Sequence, residues 1–517
     1  MSVSCSRIMN ATQLLLHNIR IGSIQTRDEL DRAKKRVGKQ FGLSNMVANS
    51  DIIALMSDNE LDRFRALLQR KPSRKASGVS VVAVMTKPSR CPHGRCTFCP
   101  GGEKSVFGDV PQSYTGKEPA SMRGAQHHYD PYAQVFSRLK QYYDVGHVPS
   151  KIELIIMGGT FLSYEDDYKQ EFITRCFQAL NEFPHKQENK RPSLENVQLA
   201  NETAKHRCVS LVVETKPDWL DVEEVMRYGA TRVEIGVQCL RNDVLKSTQR
   251  GHDLNDVWEA TKKLKDAGLK CDYHMMLKLP GMSKDEDIMQ FKTLFEDERY
   301  QPDGLKMYPT LVIRGTVLYK LFEQGRYEPA DDAYVIDVLS KAKTFLPEYV
   351  RVKRIMRDIP TTQVFKGPRA GNIREQIWKR MKTPCRCIRC REIGRNTTHT
   401  IVPELRVKSY AASGGTDYFI SINDKASDSL IGFARLRISP AGAFIRELHV
   451  YGSQTPVGDE GVAFQHKGFG KQLMAKAEEL AKKNSAKKLR VVSGVGVREY
   501  YRTLGYTRDG PYMTKYF

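Results

Sequence analysis

Three thiols stand close together in CPHGRCTFCPGG (91–102): Cys91, Cys96 and Cys99. Thiols at this spacing serve a structural zinc site, a redox centre, or the anchoring of an iron–sulfur cluster. A closed zinc site takes four ligands, and the nearest extra candidate, His93, lies inside the loop itself. Three cysteines leave one iron of a four-iron cluster open, and an open iron can chelate the amino and carboxylate groups of a cofactor such as S-adenosylmethionine. Pro92, Gly94 and the Gly101-Gly102 turn let the short loop wrap a compact cluster.

A second trio, Cys385, Cys387 and Cys390, is spaced C-x-C-x2-C within residues 366–395, where ten Lys or Arg face two Glu. No fourth ligand is evident, and His399 is the candidate at hand. The chain has 11 cysteines. An odd total without a secretion signal argues against a disulfide framework, and clustered thiols in a reducing compartment hold metal.

Such a loop needs a scaffold that carries it to one end of a sheet. VSVVAVM, KIELIIMGG, CVSLVVE, TRVEIGVQ, LKCDYHMML and GLKMYPT are apolar, β-branched runs separated by helix-like stretches such as DLNDVWEATKKLKDAG. Six strands with intervening helices predict an α/β domain over 76–360, with a parallel sheet that is open or curled into a partial barrel. Ligands of such folds bind beyond the carboxyl ends of the strands, where the first cluster follows the first strand. MGGT ends the second strand, and Gly158 and Gly159 let the backbone approach a ligand. ETKPD ends the third, where Glu214 offers a carboxylate to a ribose or an amino group.

Residues 1–75 read as basic and helical, with Thr26 as an N-cap and Glu29 completing a capping box; KPSRK (71–75) reads as a linker. Over 400–517 the pattern becomes α+β, with strands DYFISIN, LIGFARLRI and AFIRELHVY, a glycine-bounded helix at about 468–484, strand KLRVVSG, helix VREYYRTLG and a last strand. Backbone amides of Lys467 through Lys471 at that helix start can cradle a pyrophosphate. The 82 Lys and Arg against 60 Asp and Glu give a formal charge of +22, which favours a nucleic-acid partner over a generic soluble surface. No run of 18 apolar residues and no signal peptide is found, so a cytoplasmic enzyme without a membrane partner is expected.

The three-cysteine loop followed by MGGT resembles the radical S-adenosylmethionine superfamily, with C-x4-C-x2-C in place of its usual C-x3-C-x2-C. Q-x-x-G-x-G (465–470) and VREYYRTLGY resemble the acetyl-coenzyme A loop and final helix of GNAT-type acetyltransferases. CPHGRCTFCPGG, IIMGGTF, ETKPDW, RVEIGVQ, KMYPTLVIRGT, CRCIRCREIG, RELHVYG, QHKGFG and GVREYYRTLGY occur in the order found in the Elongator catalytic-subunit family of tRNA uridine-modifying acetyltransferases. The spacing matches its archaeal and bacterial members, for which accessory subunits are not expected; a homodimer is compatible with the sequence.

The resemblance implies a radical SAM partial (β/α)6 barrel over 76–360, a basic zinc-binding linker over 361–399, a GNAT-type domain over 400–517 and a tRNA-binding segment over 1–75. It implies a [4Fe-4S] cluster on Cys91, Cys96 and Cys99, S-adenosylmethionine at Gly158, Gly159 and Glu214, and zinc on Cys385, Cys387 and Cys390. For acetyl-coenzyme A it implies Lys151, Glu447, Leu448, His449, Val450, Phe469, Gly470, Lys471 and Tyr501, with Tyr500 beside it. Lys151, Tyr500 and Tyr501 are the catalytic candidates.

Two chemistries on one chain imply a 5'-deoxyadenosyl radical that activates the acetyl methyl group for addition to C5 of a wobble uridine, giving carboxymethyluridine. The anticodon stem-loop is the expected partner, because its bases are already unstacked. The rivals are a protein lysine N-acetyltransferase with a structural iron–sulfur module, and a tRNA-binding scaffold without activity.

Overall fold

The computed structural model describes residues 3–68, 78–186, 191–393, 401–452 and 468–517. His399, the KPSRK segment and Lys467 lie outside the described residues. The chain opens with four helices, Val3–Arg20, Arg27–Gln40, Asn49–Ile53 and Asp58–Leu68. The second starts at the expected capping box, the Thr26 side chain accepting from the Glu29 amide while Glu29 accepts from the Thr26 amide. Leu15, Ile19, Leu30, Val37, Ile52 and Leu61 give these helices a core of their own.

The central sheet has seven strands: β1 (Ser80–Met85), β2 (Lys151–Met157), β3 (Arg207–Thr215), β4 (Arg232–Gln238), β5 (Lys270–Leu277), β6 (Gly304–Pro309) and β7 (Arg351–Arg354). They lie side by side in chain order, every pair parallel, as crossover helices on one face require. Six are the expected strands. The seventh, RVKR, was not expected, since its charges carry no apolar run.

Strand alternation splits each strand between two environments. Val233, Ile235 and Val237 of β4, and Cys271, Tyr273 and Met275 of β5, join the apolar layer beneath the helices. The intervening residues that face the concave side are polar or charged: Arg232 and Glu234, Asp272 and the neutral His274, Lys306 of β6 and Lys353 of β7. They pair across strands. Arg232 bonds Glu153 of β2 and lies 3.3 Å from Asp272; Lys353 pairs with Asp272 and reaches Glu234 at 3.7 Å. Lys306 lies between Glu214, at 2.8 Å, and Glu234. The lumen is thus a column of compensated ions, as burial of charge demands.

The second sheet is built from β8 (Pro403–Ala412), β9 (Gly415–Asp424), β10 (Leu430–Ser439), β11 (Gly442–Val450), β12 (Lys488–Val491), β13 (Thr507–Asp509) and β14 (Tyr512–Tyr516), in the order β8-β9-β10-β11-β12-β14-β13. Helix Phe469–Lys483 packs on it through Leu473, Met474 and Ala477. β8 is a largely exposed edge strand, Leu405 and Val407 included, that the apolar pattern did not reveal. Only β11 and β12 run parallel, and their pairing ends at Ile445 and Val491. β12 ends there, whereas β11 runs on to Val450.

The sheets meet through buried ions at the amino-terminal end of the barrel strands. Arg446 bonds Asp303 and, at 2.9 Å, Asp417; Lys265 reaches Asp417 at 2.8 Å. Arg437 bonds Asp266 at 2.6 Å, and Arg435 lies 3.4 Å from Asp303. No helix of the described residues is long and apolar enough to cross a membrane.

Candidate active site

Beyond the carboxyl ends of β1–β7 the chain forms a pocket lined by Cys91, Cys96, Cys99, Gln112, Gly159, Thr160, Glu214, Arg250, His274, Lys306 and Tyr308, among others. Each sulfur has polar company. Gln112 Nε2 donates to Cys99 Sγ at 3.0 Å and Arg250 Nη1 to Cys96 Sγ at 3.1 Å, while Thr160 Oγ1 lies 3.7 Å from Cys91 Sγ. The His93 ring lies between two thiols, Nδ1 at 3.1 Å from Cys91 and Nε2 at 3.1 Å from Cys96. Donors and a guanidinium facing three thiols suit an anionic iron–sulfur cluster, whose sulfurs accept such bonds. Gly158 and Gly159 hold φ of +133° and +106°. A Cβ on Gly159 would lie 2.8 Å from Gln112 Cβ, the side chain that serves Cys99.

Glu214, the carboxylate at the end of β3, lines the pocket and is paired with Lys306 at 2.8 Å. Glu214, Glu234 and His274 each bring one ligand atom within 4.8 Å of the others, the geometry of a metal site, but the Lys306 ammonium already supplies the cation between the two carboxylates.

The remaining candidates sit at the opposite end of the barrel. Lys151 is the first residue of β2, and burial lowers its ammonium to about 8. Glu447, Leu448, His449 and Val450 occupy β11 past the end of its pairing with β12. Glu447 bonds Arg435 at 2.9 Å and reaches Lys270, the first residue of β5, at 3.5 Å. Burial opposes its ionisation, yet Lys270 and Arg435 hold the carboxyl well below the usual carboxylate range. Phe469, Gly470 and Lys471 form the first turn of helix Phe469–Lys483, entered through Gly468 at φ +82°. A Cβ on Gly470 would lie 2.7 Å from the Tyr500 hydroxyl, so Tyr500 closes over that turn. Tyr501 points into the core and is 5% exposed.

Four family models match in sequence: ELP3 N-terminal domain at 8–76, Radical SAM superfamily at 85–291, Radical_SAM C-terminal domain at 302–383 and Acetyltransferase (GNAT) family at 390–506. The chain is 46% identical over 492 residues to a protein of Methanocaldococcus infernus named tRNA uridine(34) acetyltransferase, covering 90% of this chain and 91% of that one. The chain belongs to the Elongator protein 3 family. Within that family, the Elongator complex protein 3 of Schizosaccharomyces pombe is 42% identical over 517 residues, with 94% of each chain covered. A solved structure of Methanocaldococcus infernus Elp3 lacking its N-terminus superposes with a TM-score of 0.74 at 41% identity, covering 85% of this chain and all of that one.

The Elongator protein 3 fold also places residues that sequence reasoning missed. Gln112, Arg250, His274, Lys306 and Tyr308 line the pocket with the cysteines. A charge inside an apolar run, as in RVEIGVQ or CDYHMML, was the available signal for the lumen; none existed for Arg250, 154 positions from Cys96. The second trio converges as well. Cys385, Cys387 and Cys390 bring their sulfurs within 4.8 Å of one another, Ile388 N bonding Val350 O at 2.9 Å to seat the segment against the start of β7. Lys343 Nζ donates to Cys390 Sγ at 3.7 Å.

Proposed function

We propose that this chain is a tRNA uridine(34) acetyltransferase that builds a carboxymethyl group on C5 of the wobble uridine. Residues 76–360 form the radical module, 400–517 the acetyl-coenzyme A module, 361–399 a zinc-bound basic linker, and 1–75, with that linker, the tRNA-binding surface. Cys91, Cys96 and Cys99 would hold a [4Fe-4S] cluster, and Gly158, Gly159 and Glu214 would border S-adenosylmethionine. Bound there, these groups supply a 5'-deoxyadenosyl radical able to take hydrogen from the acetyl methyl group. Arg250 and Gln112 fix the thiolates, and Lys306 orients Glu214. At the other end the turn Phe469–Lys471 receives the pyrophosphate, the strand Glu447–Val450 aligns the pantetheine, and Lys151 and Tyr500 border the thioester, whose acetyl end is directed into the barrel, with Tyr501 buried behind Tyr500. Cys385, Cys387 and Cys390 would hold zinc.

The observation that carries this reading over a protein lysine N-acetyltransferase is the state of Glu447. A lysine acetyltransferase needs a general base and an open peptide groove. The Glu447 carboxylate is instead bound by Arg435 and by Lys270 from the amino-terminal end of the barrel, which leaves it no freedom to act as a base toward a peptide.

Anaerobic incubation of the reconstituted protein with tRNA, acetyl-coenzyme A and S-adenosylmethionine, followed by nucleoside mass spectrometry, tests the reading. Carboxymethyluridine at the wobble position is expected. Acetylated lysine beside unmodified uridine would overturn it.

A further inference from the structure

One pocket residue has a role that the reading above leaves unassigned. His274 projects from β5 into the cysteine pocket, its side chain 17% exposed. Its Nε2 lies 2.9 Å from Glu234 Oε2. Glu234 is 1% exposed and is held by Lys306, by Arg232 at 3.5 Å and by Lys353 at 3.7 Å. A carboxylate in that setting only accepts, so the ring proton sits on Nε2 and Nδ1 keeps its lone pair. Among the described residues no hydrogen bond is recorded to Nδ1. Burial and the nearby Lys306 ammonium both disfavour a second proton on the ring.

The other lining groups are unsuited to take up a proton. Glu214 is committed to Lys306, Asp358 to Arg354 and Glu118 to the Thr115 amide and hydroxyl, the three cysteines would be cluster ligands, and both nitrogens of His93 face thiols. Tyr308 is a phenol whose ionisation burial disfavours further, and it packs edge-on against His274 with centroids 5.9 Å apart. A base oriented through its far nitrogen by a buried carboxylate is the arrangement of a general base.

We propose that His274 Nδ1 accepts the C5 proton of the uracil ring after the new carbon–carbon bond has formed, with Glu234 as its positioning carboxylate. This rests on the radical reading of the function. Addition of the acetyl-derived carbon radical to C5 turns the C5=C6 double bond into a single bond and leaves one unpaired electron at C6. The C5–H bond then breaks. Its proton goes to Nδ1 and its two electrons stay on the ring, making three with the one at C6. Two restore the double bond, and the third passes to a one-electron acceptor of the iron–sulfur class. The imidazolium discharges to water through the open pocket.

The test uses the reconstituted full chain with tRNA, S-adenosylmethionine and acetyl-coenzyme A deuterated in the acetyl methyl group, comparing wild type with His274→Gln and His274→Phe. Both variants are expected to carry deuterium into 5'-deoxyadenosine while modified uridine falls about 100-fold, the usual scale of a lost general base. Added imidazole is expected to restore part of the product in His274→Ala. Modified uridine at the wild-type rate in either variant overturns the proposal; so does joint loss of deuterium transfer and product in both, which would assign His274 to binding. Absent deuterium transfer in the wild type would instead overturn the radical reading. Independently of turnover, nitrogen NMR of histidine-labelled, cluster-free protein is expected to show the Nε2–H tautomer for His274, lost in Glu234→Gln. An Nδ1–H tautomer would overturn the assignment.

Discussion

Glu447 of the acetyltransferase sheet and Lys270 of the barrel face each other at 3.5 Å across the join between the two sheets, and Arg435 closes the same carboxylate at 2.9 Å. Removing one member of such a buried group leaves the others uncompensated. Glu447→Gln is therefore expected to cost about 3–5 kcal/mol in urea unfolding. Lys270→Met should cost less in that background than alone, with a coupling of about 1–3 kcal/mol. Strict additivity would mean that the pair is not coupled.

Cys96 accepts from Arg250 and is 5% exposed. Cys96→Ala is expected to abolish cluster absorbance after reconstitution and uridine modification with it, while the circular dichroism of the folded chain persists. Retained modification would remove Cys96 from the cluster.

Tyr500 and Tyr501 are adjacent in sequence but differ in setting. Tyr500 abuts the Gly470 turn, whereas Tyr501 is core. Tyr500→Phe is expected to slow acetyl-coenzyme A hydrolysis about 10- to 100-fold, in the range for a lost hydroxyl that stabilises a transition state, with little change in Tm. Tyr501→Ala should instead cost about 3–5 kcal/mol of stability, as for other large buried rings. Equal effects of both substitutions on hydrolysis and on Tm would contradict this division.

Lys151 gives a pH dependence with a definite sign. Its ammonium, lowered by burial to about 8, is charged below that pH and neutral above it. If that charge faces the anionic coenzyme, Kd for acetyl-coenzyme A rises as pH passes about 8. Lys151→Arg is expected to flatten the profile, because a guanidinium stays charged, and Lys151→Met to bind weakly throughout. Folding linkage runs the other way: the unfolded chain holds this proton up to about 10.4, so stability rises between about pH 8 and that value. Calorimetric titrations across that range check the binding limb.

The trio Cys385, Cys387 and Cys390 is expected to bind one zinc per chain by elemental analysis. Chelation or Cys387→Ser should expose the segment anchored on Val350 to proteolysis and weaken tRNA binding. An unaltered cleavage pattern after complete metal removal would assign the thiols a role other than metal binding.

Much of this architecture was legible because apolar alternation is local. Six barrel strands, five strands of the second sheet and the Thr26 capping box could be read directly. Arg351–Arg354 and Pro403–Ala412 escaped because an edge strand needs no apolar run. The cysteines and glycines announced the site through spacing. Their partners did not: Arg250 reaches Cys96, and Lys306 reaches Glu214, only once the parallel sheet has curled. Charges within strands hinted at a polar lumen, but who pairs with whom is a property of register.

The ionic join between the sheets has a consequence for how such a chain can be inherited. Asp266, Asp303 and Lys270 find counter-ions in Arg437, Arg446, Arg435 and Glu447. Each half therefore stores part of the other's charge balance. A cut near residue 400 would leave both fragments with unmatched ions on a surface built to be dry. The fusion has thereby become obligate: neither half can be shed or exchanged without rewriting that surface in the other.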